Sequence, residues 1–369
     1  MSEAKILLEE QGPNGNIKAI VEDDGRSVHL YLEGTEESGF GVRSCWVRNR
    51  KAAPAMLEVE RMQAGLPPML QAKHCVDPEA GLPLNPKKLE LLWFEEGDAV
   101  ALLEDGDVLA VIPPWSGIQG FAGYARDCAL EGILCEPLGS PAHDHHGIFA
   151  RMARAARFWA SWDHNPWPGI QQGIMEALEG ALGSHKRYFS TDPERWPPRS
   201  LTLFEPAGAK GMVTAGMSLR PQPRADRISD DPAGIRRIEL GLAIDEALVP
   251  DPLTPLLSYV NGQATLPWDR YTCLAEGHTI GAAGVIPVGP SGRSFSRVVL
   301  WRDPPGAPAI ALPPFQQDPV KLLWMVPITE EEGLFAETHG GPLLLERLRE
   351  AGVSWIHRDR QEVDLSGPA

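Results

Sequence analysis

The sequence contains one local cluster of potential metal ligands, at His143, Asp144, His145 and His146. Imidazole and carboxylate groups are good ligands for zinc or iron, so this cluster could support a metal-dependent hydrolase. Adjacent residues in an extended loop point in different directions, however, and at most two of them could bind one ion without ligands from elsewhere. We therefore expect an exposed polar linker here, and keep the hydrolase as the alternative function.

Carboxylates are paired in two short turns, at Glu95, Glu96 and Asp98 and again at Asp105 and Asp107. General acid–base chemistry would need two carboxyl groups that face each other across a cleft. Hairpin turns favour these residue types for their backbone conformation, so we expect the side chains to face water. In that position Glu95, Glu96 and Asp98 are candidates for contacting a basic partner.

Aromatic residues offer a different kind of site, because the chain has 11 tryptophans. Most should lie in the core, yet tryptophan is also a residue type that dominates binding energy at protein interfaces. Trp159, Trp162 and Trp167 lie close together in the sequence, near a change in its texture. We take these three residues as candidates for partner binding.

Signatures of common catalytic sites are missing from the sequence. Gly289–Ser294 resembles a phosphate loop only in composition, since it lacks the spacing and the lysine of that motif. Neither the G-x-S-x-G elbow of hydrolases nor the H-E-x-x-H zinc motif is present. The sequence therefore predicts no catalytic residue, no metal site and no cofactor.

Charge and composition restrict the class of partner. Lys and Arg total 34 against 50 Asp and Glu, which gives a formal charge of −16. Such a field repels nucleic acids and anionic membranes and would attract a basic partner, although it could also serve solubility alone. Five scattered cysteines indicate free thiols in a reducing compartment, and no secretory signal or membrane-length apolar run is visible. We expect a cytoplasmic protein.

The first part of the chain is predicted to be β-rich. Short apolar runs alternate with Asn-Gly and Asp-Gly turns, which supply the positive φ angles of tight hairpins. The predicted strands are Ile6–Glu9, Ile17–Val21, Ser27–Glu33, Glu90–Phe94, Ala99–Glu104 and Val108–Ile112. Near residue 140 the pattern changes from short apolar runs between turns to apolar residues at helical spacing. The prediction is therefore a β-rich domain over residues 1–140 and a second domain over residues 141–369.

Helices and a second sheet are predicted beyond that boundary. Apolar residues recur at helical spacing in Phe149–Trp162 and Gly169–Leu182. A further helix is predicted over Pro252–Val260 with Asp251 as its cap. The predicted strands are Leu201–Phe204, Gly211–Leu219, Arg236–Ile244, Val298–Trp301 and Ile310–Leu312. The fold class is α+β, a mixed α/β arrangement in two lobes.

The last third carries the strongest structural signals. Val320–Val326 is mostly apolar, as expected for a strand covered on both faces, and Pro327 should end it. Thr329 and Glu332 have the spacing of a capping box, so a helix should begin there and run to about residue 338. A second helix over Leu343–Ala351 and a final strand over Val353–Ile356 should follow.

These C-terminal residues resemble the end of the suppressor-of-fused domain. Its bacterial members have a hydrophobic strand, a Pro-Ile-Thr/Ser-Glu-Glu-Glu motif, a glycine and a leucine-rich helix, and this sequence matches them in Val320–Glu332 and Gly340–Leu348. Arg237–Leu240 is similar to the family's central strand, and Trp268 with Gly277–Ile280 fits the region after it. The resemblance covers residues 180–357.

The N-terminal part is similar to longer bacterial members of the same family. The segments that carry this similarity are Phe40–Asn49, Trp93–Asp98, Val111–Gly117 and Gly123–Asp127. The resemblance implies a mixed α/β fold with no known catalysis. It also implies a protein or peptide partner: the animal relative binds a transcription-factor peptide as an added β-strand between two lobes, and bacterial relatives resemble immunity proteins that neutralise toxins.

We interpret the chain as a non-enzymatic protein-binding module, an immunity-like or regulatory protein whose partner is a basic toxin domain or a peptide. The groove should then lie between the lobes, near Trp159–Trp167 and the strands before Leu219. Two alternatives remain open. One is the metal-dependent hydrolase, and the other is a scaffold whose N-terminal domain packs permanently on the other lobe.

Overall fold

The computed structural model describes residues 4–144, 147–191, 196–206, 208–223, 225–269, 273–282 and 284–366. The strands form three open sheets and helices pack against them, so the predicted α+β class is confirmed. The chain divides into two compact units, which we call the first unit (Met1–His164 with Asp269–Tyr271) and the second unit (Asn165–Trp268 with Thr272–Ala369). The domain boundary near residue 140 stays a prediction.

The strands alternate with turns and helices along the whole described chain. They are β1 (Lys5–Gln11), β2 (Ile17–Asp23), β3 (Ser27–Gly34), β4 (Val42–Asn49), β5 (Leu89–Trp93), β6 (Val100–Glu104), β7 (Asp107–Ile112), β8 (Tyr124–Ala125), β9 (Glu136–Pro137), β10 (Arg187–Ser190), β11 (Ser200–Phe204), β12 (Ala209–Ala215), β13 (Arg237–Asp245), β14 (Thr279–Gly281), β15 (Arg297–Trp301), β16 (Val320–Ile328) and β17 (Ile356–His357).

The α-helices lie mostly in the second half. They are α1 (Val59–Gln63), α2 (Ile148–Trp162), α3 (Trp167–Leu182), α4 (Ala225–Ile228), α5 (Pro232–Arg236), α6 (Thr254–Gln263), α7 (Leu266–Asp269), α8 (Glu330–His339) and α9 (Gly341–Glu350). Among the described residues, no helix has the length and hydropathy needed to cross a bilayer.

Two sheets with helices α1 and α2 make up most of the first unit. The four-stranded sheet has the order β1-β2-β3-β4, and the five-stranded sheet has the order β5-β6-β7-β8-β9. One core lies between residues of both sheets, such as Leu30 and Leu102. The opposite face of the five-stranded sheet, with Ala101 and Val111, packs on Met152 of α2. The predicted hairpin turns are confirmed; at the β6–β7 turn, Asp105 and Gly106 have φ angles of 51° and 84°.

The second unit is built on an eight-stranded sheet. Its order is β10-β11-β12-β13-β16-β15-β14, and β17 pairs with the end of β13. The central strand β16 alternates between two cores. Leu322 and Trp324 pack in the core that includes α3, α8 and α9, whereas Leu323 and Met325 pack in the core that includes α6. The sheet is therefore covered on both faces, as the apolar run predicted.

The capping box predicted in the last third of the chain is also confirmed. The Thr329 hydroxyl accepts from the Glu332 amide at 3.2 Å, and a Glu332 carboxylate oxygen accepts from the Thr329 amide at 2.9 Å. Helix α8 follows, and Gly340, with φ of 93°, separates it from α9. All five cysteines are free and buried, as expected from their scattered positions.

Several predicted elements are wrong in detail. Strand β12 ends at Ala215 and not at Leu219, and the last strand, β17, covers Ile356–His357 and not Val353–Ile356. Strand β16 continues through Pro327, because β13 pairs with it only as far as Trp324 and leaves no ladder bond there for a proline to break. Helix α6 begins at Thr254, and its cap is Leu253 instead of Asp251. Residues 310–312 are irregular, since prolines flank them and cannot donate to a ladder.

Candidate functional site

The three candidate tryptophans are half-buried and lie in two units. The Trp159 indole N–H donates to the carbonyl of Trp93 at 2.7 Å, and the rings of Trp159 and Trp162 pack edge-on against buried Phe158. Trp167 is the first residue of α3 in the second unit. The contacts within the first unit show Trp159 and Trp162 stabilising α2, and the role of all three residues in partner binding stays a prediction.

The acidic turn between β5 and β6 is buried, which corrects the expectation that it faces water. Glu95, Glu96 and Asp98 expose only 2, 1 and 2% of their surface. Helix α2 supplies the compensating charges: Arg151 pairs with Glu96, and Arg154 Nε lies 2.8 Å from Glu95 Oε1. Burial raises the pKa of Glu96, and the Arg151 guanidinium opposes that rise. We assign these carboxylates a structural role, while their contact with a partner remains untested.

The histidine cluster is described only in part, because His145 and His146 lie outside the described residues. His143 Nδ1 lies 3.5 Å from the Ser140 hydroxyl. The Asp144 carboxylate accepts from the Ala150 amide at 3.0 Å, so it satisfies an amide in the first turn of α2. Within the described ranges, no group of three or more His, Cys, Asp or Glu side chains is arranged to hold a metal. Elemental analysis of untagged protein is the direct test of the hydrolase alternative.

A buried ionic network, missed by the sequence analysis, lies at the start of β13. Arg237 is fully buried, and its Nε lies 3.1 Å from Asp318 Oδ2. The Arg236 guanidinium lies 2.7 Å from the other carboxylate oxygen of Asp318 and 2.8 Å from a carboxylate oxygen of Asp226, so it links the two acids. These contacts tie the strand to loops distant in sequence, and such pairings are not visible from residue spacing.

Glu239, on the same strand, is also fully buried. Its carboxylate accepts from the Thr214 hydroxyl at 2.7 Å, the Gly216 amide at 2.9 Å and the Ser218 hydroxyl at 2.6 Å. Burial raises the pKa of Glu239, although these hydrogen bonds favour the ionised form. A carboxylate enclosed by donors of its own chain fixes the turn after β12 and is closed to substrate, so we assign it a structural role.

A cavity of about 510 Å³ lies in the second unit beside the edge strand β14, and we call it the β14 groove. Leu266 and Leu274 contribute apolar wall, and the α8–α9 junction contributes Ala336 and Gly341. Two glycines allow close approach here, because a Cβ on Gly341 would lie only 2.1 Å from the carbonyl oxygen of Gly277. The groove therefore depends on residues whose small size is essential.

Backbone groups of β14 face into this open edge. The Leu300 amide donates to the His278 carbonyl at 2.8 Å, and the Ala282 amide donates to the Ser296 carbonyl at 2.7 Å, so groups on both sides of Thr279 bond to β15. The antiparallel register then directs the N–H and C=O of Thr279 away from β15. Outside the β14–β15 ladder, no backbone hydrogen bond to the Thr279 peptide group is present in the described part of the chain. Gly281, the next outward residue, accepts from the Tyr259 hydroxyl at 3.1 Å.

Side chains in the β14 groove are already engaged with their own chain. Glu337 pairs with Arg297, which also contacts Glu330. His278 Nδ1 lies 2.8 Å from the carbonyl oxygen of Cys273. The groove thus offers apolar wall and unpaired backbone, which suits an extended polypeptide. Sequence spacing gave no sign of it, because its position depends on β14 being the last strand of the sheet.

Comparisons with known proteins bear on this second unit. The family model described as Suppressor of fused protein (SUFU) matches residues 196–360, so the resemblance expected from the sequence is confirmed over that range. No curated protein matches the chain. Among solved structures, the chain is similar to "the Sufu-Fu complex crystal structure", with a TM-score of 0.36 and 11% identity over 53% of this chain and 91% of that chain.

Proposed function

We propose that this chain is a non-enzymatic protein-binding module, because residues 196–360 match the SUFU family and the matched range includes the β14 groove. The observation that carries the proposal is the unpaired peptide group of Thr279 at an open sheet edge. An exposed edge is a template for another strand, and natural proteins usually cover or charge such edges. An edge left open beside an apolar groove is suited to recognition.

The proposed binding mode is addition of an extended partner segment to β14. Main-chain hydrogen bonds to Thr279 would supply register, and the wall formed by Leu266, Leu274 and Ala336 would select apolar side chains. Because β14 has only three residues, the strand alone offers a small interface. Stable binding therefore requires further contacts elsewhere on the molecule.

Charge supports a basic partner. Residues 1–164 contain 25 Asp and Glu against 15 Lys and Arg, so most of the acidic excess lies in the first unit. An acidic surface accelerates association with a cationic protein. We infer a cytoplasmic immunity-like or regulatory protein that sequesters a basic partner, such as a toxin domain, and that binds neither nucleic acid nor membrane.

Affinity capture from the native host at low and physiological salt tests this function. Thr279→Pro removes the outward N–H without breaking the β15 ladder and should reduce capture of the partner about tenfold. Thr279→Val keeps the N–H and is the matched control, expected to capture as the wild type does. Circular dichroism checks that both variants are folded.

Two results would contradict the proposal in different ways. Recovery of no protein by the wild type at either salt concentration would count against a protein-binding function. Equal capture by Thr279→Pro and Thr279→Val would leave a binding function in place but would remove the β14 edge as its site.

A further inference from the structure

A second groove lies on the first unit, on the face of the four-stranded sheet that is turned away from the core. It encloses about 230 Å³, and we call it the outer-face groove. Its floor includes Tyr31 and Trp46, and its sides include Met62, Leu66 and Ile133. The family model does not extend to this part of the chain. The groove therefore lies outside the residues that the family model matches.

The strand register explains why the floor faces outward. Leu30 pairs with Cys45, and both side chains lie in the core between the sheets. Tyr31 pairs with Ser44. Because successive side chains of a strand point to opposite faces, these two side chains lie on the face away from the core. His29 stacks on Tyr31 with ring centroids 5.9 Å apart, and its Nε2 lies 3.0 Å from the Pro68 carbonyl oxygen. Burial lowers the pKa of His29 to about 4, so this anchor of the groove wall is neutral near pH 7.

Apolar side chains border the groove but remain exposed. Met62, Leu66 and Ile133 are 38, 41 and 57% exposed. Single exposed apolar residues are ordinary, but several around one concave site mark a surface that can bury against a partner. Here the three side chains come from two segments that are distant in sequence, α1 with its following loop and the loop before β9, and they converge on one aromatic floor.

Charges around the groove are unbalanced. Its nearby arginines are already paired, Arg26 with Glu58 and Arg61 with Asp24. By contrast Glu22 of β2, which lies opposite His29 of β3 and therefore on the groove face, has no ion-pair partner within residues 4–144. Burial and the neighbouring Asp24 raise the pKa of Glu22, and burial with Glu22 and Asp24 raises that of Tyr31. The described part of the first unit thus supplies no ion-pair partner for the Glu22 carboxylate beside the groove.

We propose that the outer-face groove binds a polypeptide segment that carries apolar side chains next to lysine or arginine. The apolar residues would cover Leu66 and Ile133, and a cationic residue would approach Glu22. This inference rests on the proposed function only for the presence of a protein partner. It adds an additional contact surface, in the first unit, to the short edge of β14.

A pair of fluorescein-labelled peptides tests the groove. Both have the same central leucines, flanked by lysines in one peptide and by glutamates in the other, and binding is followed by fluorescence polarisation. The wild type should bind the lysine peptide and not the glutamate peptide. Replacing Leu66→Ser and Ile133→Ser together should weaken binding about tenfold, since two apolar contacts are lost. The matched control replaces Ile228→Ser and Leu334→Ser, which are 53 and 49% exposed in the second unit.

Glu22→Gln separates local from general charge. It should weaken the lysine peptide several-fold, whereas Glu346→Gln, an exposed carboxylate in the second unit, should not. The proposal is overturned if the lysine peptide fails to bind, if both peptides bind alike, or if groove and control variants behave alike. Sedimentation velocity adds a further outcome: a dimer that dissociates in the Ile133→Ser variant would assign the groove to a second copy of the chain. None of these results bears on capture of a partner through β14, so the two proposals fail separately.

Discussion

Two acidic segments of this protein carry buried carboxylates, and they reach that state by different routes. Glu96, in the β5–β6 turn, is 1% exposed and pairs with Arg151 of α2. Glu332, in the first turn of α8, is fully buried and lies 2.6 Å from Arg360. Both carboxylates meet an arginine, yet their pKa values shift in opposite directions.

The surroundings of the two carboxylates explain the difference. Burial and the neighbouring Glu95 carboxylate raise the pKa of Glu96, and the charges of Arg151 and Arg154 do not offset this rise. Burial would also raise the pKa of Glu332, but Arg360 and the amides of Val363 and Thr329 lower it overall. A carboxylate held by a guanidinium and two amides is stabilised as an anion, whereas the charge of a second carboxylate close by works against ionisation.

The largest expected effect is at Arg151. Replacing Arg151→Met leaves Glu96 buried without its counter-ion, which should cost about 3–5 kcal/mol of unfolding free energy. Urea denaturation, followed by a spectroscopic signal from the first unit, measures this loss of unfolding free energy. Arg157→Met, on the exposed side of the same helix, is the matched control and should change stability little. Equal midpoints for the two variants would show that this ion pair contributes nothing to the first unit.

A smaller effect is expected at Arg360. In Arg360→Met the carboxylate of Glu332 keeps its two backbone amides, so we expect a loss of about 1–3 kcal/mol. Urea denaturation again provides the measurement, with Arg358→Met as control because Arg358 is exposed and pairs only at the surface with Asp245. A loss as large as that of Arg151→Met would contradict the protection we assign to the amides.

The smallest effect is a difference in pH dependence. Because the pKa of Glu332 in the folded state lies below its usual value of 4.5, its contribution to stability is present above pH 4.5 and is lost as the pH falls. The folded-state pKa of Glu96 is raised, so relative stability increases as the pH falls toward 4.5. As the pH is lowered from 7 to 4, the melting temperatures of the wild type and Glu332→Gln should therefore converge. Over the same range, the melting temperature of the wild type should rise relative to that of Glu96→Gln. Parallel pH profiles for both variants would refute the opposite shifts.

The same contrast shows what the sequence could predict. The capping box at Thr329 and Glu332 is complete within four residues, and local spacing was enough to locate it. The partner of Glu96 lies on a helix 55 positions away, so nothing near the turn distinguished a buried carboxylate from an exposed one. Strands and hairpins were predictable for the same local reason, and so was the alternation along β16.

Both candidate binding sites depend on arrangement beyond local spacing. The β14 groove exists because Thr279 lies on the last strand of a sheet, and strand order is set by long-range pairing. The outer-face groove requires Tyr31, Leu66 and Ile133 to meet across three separate segments. Composition indicated one relevant property, the formal charge of −16 of the whole chain, but not where that charge lies.

The position of β16 in the chain has a consequence for biosynthesis. Strand β13 pairs in parallel with β16, but two strands, two helices and long loops lie between them in the described chain, so β16 has not been synthesised when β13 leaves the ribosome. Until β16 is synthesised, β13 presents an unpaired apolar edge in the middle of the future sheet. Such edges promote association between nascent chains. We therefore expect the central sheet of the second unit to form only after β16 has been synthesised.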